Sequence, residues 1–196
     1  MLLHDRLKGY NLILASASPR RRELLAACDI DFTLAERFEC EEQYPADLEA
    51  EKVAEYLSQL KSNAYPTPLA EHDILLTADT VVISGEKILG KPHSEEEARE
   101  MISMLSGATH KVVTGVTLRT VECTISFSAE SLVSFRTLDA EEIEYYVANY
   151  RPMDKAGAYG IQEWIGYIGI EGIEGSFYNV MGLPVQRLYS ALKELI

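Results

Sequence analysis

Apolar residues along the chain fall into short runs and periodic faces, and the two spacings alternate. Leu12 to Ala15 (LILA) read as a short buried strand. Pro19, after Ser18, suits the first turn of a helix that continues to about Cys28. Residues 32–35 (FTLA) predict a second strand, followed by an acidic, irregular stretch to Tyr44-Pro45. From Asp47 to Ala64 the apolar positions 50, 53, 54, 57, 60 and 64 follow helical spacing. ILLTA (74–78) and VVIS (81–84) predict two strands with a break at Asp79-Thr80. Ser94 with Glu97 forms a capping-box pattern, opening a helix with Ala98, Met101, Ile102 and Leu105 on one face. The runs VVTGVTL, CTISFS and SLVSFRT within 111–136 predict meandering strands, and Asp139 with Glu142 caps another helix ending near Tyr150. After a glycine-rich segment (157–182), Pro184 begins an amphipathic helix carrying Val185, Leu188 and Leu192. This order predicts an α/β fold in one continuous domain over residues 1–196, with two lobes and no separable linker.

Composition narrows the partners. Eighteen Lys and Arg against 31 Asp and Glu leave a net charge of −13, which repels nucleic acid and anionic membranes. Small anions such as free nucleotides can still reach a local basic pocket. The 47% hydrophobic content excludes a disordered tail. Cys28, Cys40 and Cys123 have no CxxC spacing and read as reduced thiols. Residues 1–11 are polar and charged, and no apolar run approaches the ~20 residues of a membrane span, so a cytoplasmic protein is expected.

Against that acidity, SASPRRR (16–22) concentrates positive charge where a strand enters a helix. A helix N-terminus leaves backbone N–H groups unpaired and its dipole favours an anion. Ser16 and Ser18 add hydroxyl donors, while Arg20 and Arg21 add guanidinium forks that match phosphate oxygens. The segment alone reads equally as a capped helix with solvated arginines. Asp79 interrupts the apolar run LLTADTVV, where a carboxylate must find hydrogen bonds, a cation or a metal; a turn aspartate is the plainer reading. Lys91 lies in a Gly-Lys-Pro turn and Lys61 late on a helix, both ordinary surface positions by themselves. DKAGAYGIQ (154–162) and GSFYNVMGLP (175–184) suggest backbone close to a ligand or crowded turns. His110 has no metal-ligand partner at useful spacing, and neither a Walker A motif nor GxGxxG occurs.

In combination and in this order, SASPRR, TADT, GKP, GATHKVVTG, DKAGAYGIQ and NVMGLP resemble the Maf family, from about Leu12 to Leu195. That resemblance implies a nucleoside-triphosphate pyrophosphatase that needs a divalent metal, magnesium or manganese, and releases the nucleoside monophosphate and pyrophosphate. It also implies an α/β fold similar to that of inosine-triphosphate pyrophosphatases, a mixed twisted sheet with flanking helices and a cleft between two lobes, in a homodimer. GIQ at 160–162 resembles the branch acting on dTTP and UTP. Asp79 matches the catalytic acid-base position, with Lys61 and Lys91 as lysines of the cleft. Arg20, Thr80 and Gln162 match positions linked to substrate choice, beside Ser16, Ser18 and Arg21 on the phosphates. Glu41 falls where the family places an acidic residue, which would join Asp79 at the metal. Cys40-Glu41 replaces an Asp-Glu pair of many relatives, and Glu163 stands where many continue GIQ with glycine. A non-catalytic nucleotide-binding regulator and a nucleotidyltransferase are the alternatives; an acid at 79 with two lysines favours hydrolysis.

Overall fold

The computed structural model describes residues 1–196. Strand β1 (Asn11–Leu14) buries three of its four residues and pairs in parallel with both β2 (Thr33–Leu34) and β3 (Asp73–Ser84). The seven-stranded sheet runs β2-β1-β3-β5-β6-β7, with β4 (Lys87–Leu89) antiparallel to the end of β3. Strands β5 (Thr109–Arg119) and β6 (Thr124–Phe135) are long, and β7 (Ile170–Glu174) pairs antiparallel to β6. The helices are α1 (Leu3–Arg6), α2 (Pro19–Ala26), α3 (Ala50–Ala64), α4 (Glu95–Leu105), α5 (Ala140–Tyr150), α6 (Trp164–Gly169), α7 (Phe177–Met181) and α8 (Val185–Leu195). The expected α/β class, a mixed sheet with helices, is what the chain adopts. No helix is long and apolar enough to cross a membrane.

Several sequence expectations need correction. No break occurs at Asp79-Thr80: β3 runs through both residues for 12 in all. A polar side chain ends a strand only if its backbone leaves the ladder, and here the Asp79 carboxylate meets the Lys61 ammonium while the strand continues. The runs CTISFS and SLVSFRT are likewise one strand, β6. Buried Ala129 and exposed Glu130 between them keep the two-residue alternation, and Glu130 pairs with Lys111. The capping box predicted for α5 is present at Asp139 and Glu142. At α4 the Ser94 hydroxyl caps the Glu97 N–H, but the Glu97 carboxylate accepts from the N–H of His93, one residue earlier than the pattern predicts.

The chain divides into two compact units. One comprises Met1–Asp79, Thr114–Ala129 and Gly182–Ile196; the other comprises Thr80–Val113 and Glu130–Met181. The crossings fall within β3, β5 and β6, and after α7.

In the first unit, α3 presents a buried stripe that its apolar residues do not fill. Val53, Ala54 and Leu57 are continued by Ser58 and Ser62, not by Leu60 and Ala64. The Ser58 hydroxyl satisfies itself against Thr117 at 2.8 Å, and its carbonyl accepts from Thr77 at 2.7 Å. Gly115 makes this close approach possible, because a Cβ there would lie 2.3 Å from the Ala54 carbonyl. Helix and strand backbones therefore touch directly, and Lys61, four residues after Leu57, lies along the same face.

In the second unit, the face of α4 formed by Ala98, Met101, Ile102 and Leu105 packs with Val112, Phe135, Ile143, Tyr146 and Tyr159. His110 is 1% exposed in this unit, its ring stacked on Phe135 and its Nε2 2.7 Å from the Tyr159 hydroxyl. Burial pushes its pKa down from 6.5 to about 4. The unfolded chain therefore binds the extra proton between those values, and stability present above pH 6.5 is lost as pH falls toward 4. The loss expected from this residue is roughly 3 kcal/mol across the window. Urea unfolding at pH 7 and pH 4 should show a smaller acid loss in His110→Leu than in the parent; equal losses would remove His110 as the cause.

Candidate active site

Strand β1 delivers the chain into Ser16–Ser18, and α2 begins at Pro19 with no side-chain cap from Ser18. Ser18 instead donates its backbone N–H to the Ser16 hydroxyl at 3.3 Å. Arg21, two residues into the helix, turns inward and is only 8% exposed. Its Nε donates to the Gly182 carbonyl at 2.8 Å, and its Nη1 donates to the Ala78 carbonyl at 2.9 Å and the Ser16 hydroxyl at 3.0 Å. Burial lowers the Arg21 pKa; Arg20 adds to that, while Asp79 and Glu42 oppose it. The guanidinium thus braces the β3 backbone one residue before Asp79 and brings positive charge beside that carboxylate. Arg20 lies half-buried next to it.

Asp79 itself projects from mid-β3, its side chain 15% exposed, with Oδ1 3.1 Å from Lys61 Nζ. The same ammonium lies 3.1 Å from Glu42 Oε2. Lys61 reaches this position because α3 lies directly on β5 at Gly115. Cys40 shares the neighbourhood: burial and the Glu42 carboxylate raise its thiol pKa, with Lys61 opposing. The thiol is therefore neutral near pH 7 and adds no negative charge beside Glu42 and Asp79.

Glu41, the residue the resemblance pointed to, makes a local contact. It is exposed and accepts from the Gln43 amide at 2.6 Å. Glu42 is the carboxylate that the structure brings to Lys61. Sequence reasoning missed it because adjacent glutamates in an irregular segment carry no periodicity that distinguishes them.

The second unit holds the other predicted residues. Thr80 follows Asp79 on β3, and Lys91 is exposed on the turn after β4. Gln162 lies in the tight segment between Tyr159 and α6, and its Oε1 is buried without a hydrogen-bond partner. A buried carbonyl without a donor is costly, so this atom is poised to accept an N–H from a ligand.

The profile of the family described as Maf-like protein matches residues 11–195. The chain belongs to the Maf family. Among its relatives, a dTTP/UTP pyrophosphatase of Porphyromonas gingivalis is 54% identical over 97% of this chain and 96% of its own. A dTTP/UTP pyrophosphatase of Bacteroides thetaiotaomicron is 52% identical over 96% of this chain and 98% of its own. One from Flavobacterium johnsoniae is 43% identical over the full length of both. A solved structure, that of a HAM1 protein from Coxiella burnetii, covers 94% of this chain and 99% of its own at 14% identity, with a TM-score of 0.48.

For a Maf protein the remaining question at Asp79 is the divalent metal. No group of three or more His, Cys, Asp or Glu residues is placed to enclose an ion. What the chain provides is two carboxylates, Asp79 and Glu42, converging on one positive charge. Magnesium prefers hard oxygen donors and is commonly held by one or two carboxylates plus substrate phosphates and water. The Asp79 and Glu42 carboxylates of this Maf chain fit that mode of binding.

Proposed function

We propose that this protein hydrolyses dTTP and UTP to the nucleoside monophosphate and pyrophosphate. The observation that carries the reading is the Asp79 carboxylate, held by Lys61 beside the buried Arg21 guanidinium. Relatives named dTTP/UTP pyrophosphatases at 52% and 54% identity support the same reaction. Cleavage between the α- and β-phosphates needs an activated water and neutralised phosphate charge. Asp79 accepts the water's proton, and Lys61 holds the carboxylate in place while lending positive charge. Arg20 and Lys91 stabilise charge spreading onto the departing pyrophosphate, with Ser16 and Ser18 as hydroxyl donors to phosphate oxygens. A divalent ion held by Asp79 and Glu42 would polarise the water and neutralise phosphate oxygens. The reading carries with it a magnesium or manganese requirement, a cytoplasmic location and a homodimer, each supported by the family resemblance. The test is pyrophosphate release from a panel of nucleoside triphosphates with magnesium: UTP and dTTP should lead, and no release from any would overturn the reading.

Gln162 reads the base. Uracil and thymine present an N3–H donor beside the O4 acceptor, which a carboxamide meets with its oxygen and nitrogen together. The partnerless Gln162 Oε1 supplies the acceptor for N3–H, and Thr80 is the second residue assigned to substrate choice. Gln162→Glu sets a second acceptor against O4, at about 1–3 kcal/mol, or roughly five- to 150-fold in affinity. UTP and dTTP should lose that factor, while guanine nucleotides, whose N1–H and N2–H₂ both donate, lose less or gain. Equal kcat/KM for mutant and parent across uracil, thymine and guanine triphosphates would remove Gln162 from base recognition.

A further inference from the structure

The segment carrying Gln162 is pinned on both sides by polar contacts from outside it. The Gly160 N–H donates to the Tyr146 hydroxyl at 3.0 Å. That hydroxyl in turn donates to Glu163 Oε2, and Glu163 Oε1 lies 3.1 Å from Lys155 Nζ. Lys155, whose side chain is 9% exposed, also pairs with Asp154 at 2.7 Å. A nearly buried ammonium holds its carboxylate partners firmly, because leaving it unpaired is expensive. Tyr146 is fully buried on α5 and stacks on Tyr150, so its hydroxyl is a fixed point.

Close packing leaves the segment no slack. A Cβ at Gly160 would lie 2.7 Å from Glu163 Cδ, so the glutamate side chain lies directly over that glycine. A Cβ at Gly166 would lie 1.9 Å from the Ile161 carbonyl oxygen, so the start of α6 folds tightly back on the residue before Gln162. The Glu163 N–H donates to the Gly160 carbonyl at 3.0 Å, and the Gly166 N–H to the Glu163 carbonyl at 2.9 Å. Gln162 therefore sits between two anchored neighbours, its amide oxygen buried and without a partner. A flipping carboxamide would accept cytosine as readily as uracil, since exchanging its oxygen and nitrogen inverts the pattern it presents. Reading one base over the other requires the carboxamide to be held at a fixed place and angle to the ring, and these contacts fix the backbone that carries it before any ligand arrives.

We propose that Tyr146, Lys155 and Glu163 form a clamp that fixes the Gln162 segment and so sets the preference for uracil and thymine over cytosine. The proposal rests on the assignment of Gln162 to base recognition. The three are positioning residues, since they act through Gln162. Glu163 is the member that links the other two.

The test uses the full chain and compares kcat and KM for UTP, CTP and ribose 5-triphosphate, which lacks a base. In Tyr146→Phe and Glu163→Gln, KM for UTP should rise about tenfold and the UTP-over-CTP preference should fall to match. Both constants for ribose 5-triphosphate should stay unchanged, which a general loss of structure would not allow. Lys155→Arg, which keeps the charge, should retain more selectivity than Lys155→Met. An unchanged UTP-over-CTP ratio, or equal losses on all three substrates, overturns the clamp. A parent protein that does not prefer UTP to CTP instead overturns the assignment of Gln162, and is seen before any clamp variant is made. Hydrogen exchange on the parent needs no variant to fold: the Gly160 and Glu163 amides should be strongly protected, and exchange at the rate of an open loop would also overturn the clamp.

Discussion

Asp79→Asn should fold and release almost no pyrophosphate from UTP or dTTP. The carboxamide keeps the size of the carboxylate and its place on β3, whose ladder does not depend on the side chain. Lys61 is not stranded by the change, because Glu42 remains 3.1 Å from its ammonium. The stability cost should stay near 1 kcal/mol, the scale of one partly exposed polar contact. Turnover should suffer far more. An amide cannot accept the water's proton, and a positioned general base contributes about 10²–10⁴-fold. A divalent ion held by Asp79 would also be bound more weakly, which would add to that loss. Pyrophosphate release and urea unfolding measured side by side give the answer. A folded mutant within tenfold of the parent rate would show that Asp79 is not the base.

Arg21→Lys should be strongly destabilising, although it conserves charge. The guanidinium donates to three acceptors that lie in different directions, the carbonyls of Gly182 and Ala78 and the Ser16 hydroxyl. A lysine amine on a differently shaped stem reaches one or two of them. Each acceptor left buried without a donor costs about 1–3 kcal/mol, so a loss of about 2–4 kcal/mol is expected. Activity should fall beyond what unfolding explains, since Ala78 immediately precedes Asp79 and its carbonyl loses its brace. Urea titration reads the first effect, and kcat at a temperature where the mutant is fully folded reads the second. A mutant as stable as the parent would mean that the three contacts add nothing to the folded state.

The sequence made the helices legible where pattern and caps agreed, as at Ala98, Met101, Ile102 and Leu105 on α4 and at the Asp139–Glu142 box of α5. It misled where polarity was taken as an interruption. Asp79 and the Ala129-Glu130 step both sit inside long strands, because pairing partners far along the chain satisfied the side chains. The stripe of α3 was misread for the related reason that Ser58 and Ser62 do the work expected of Leu60 and Ala64. Where Gly115 brings two backbones together, the Ser58 hydroxyl finds Thr117, while that of Ser62 is buried without a partner. At the candidate site, Asp79 and Lys61 were found through motifs and do meet. The choice between Glu41 and Glu42 was not legible, because it depends on the path of an irregular segment. Arg21 was read as a phosphate ligand from its neighbours Ser18 and Arg20; nothing local announces the carbonyl of Gly182, 161 positions away.

That long reach has a consequence during synthesis. Arg21 emerges from the ribosome early, and Gly182 is added 161 residues later, roughly ten to thirty seconds at bacterial and eukaryotic elongation rates. The Leu3 N–H waits longer still for the Tyr189 hydroxyl on α8. Until then the apolar sides of β1 and α2 have no complete unit to close against, and the nascent chain cannot brace the strand that carries Asp79. Each new molecule therefore passes through an interval in which its N-terminal third lacks these partners, and the brace beside Asp79 closes only once the segment around Gly182 has been made.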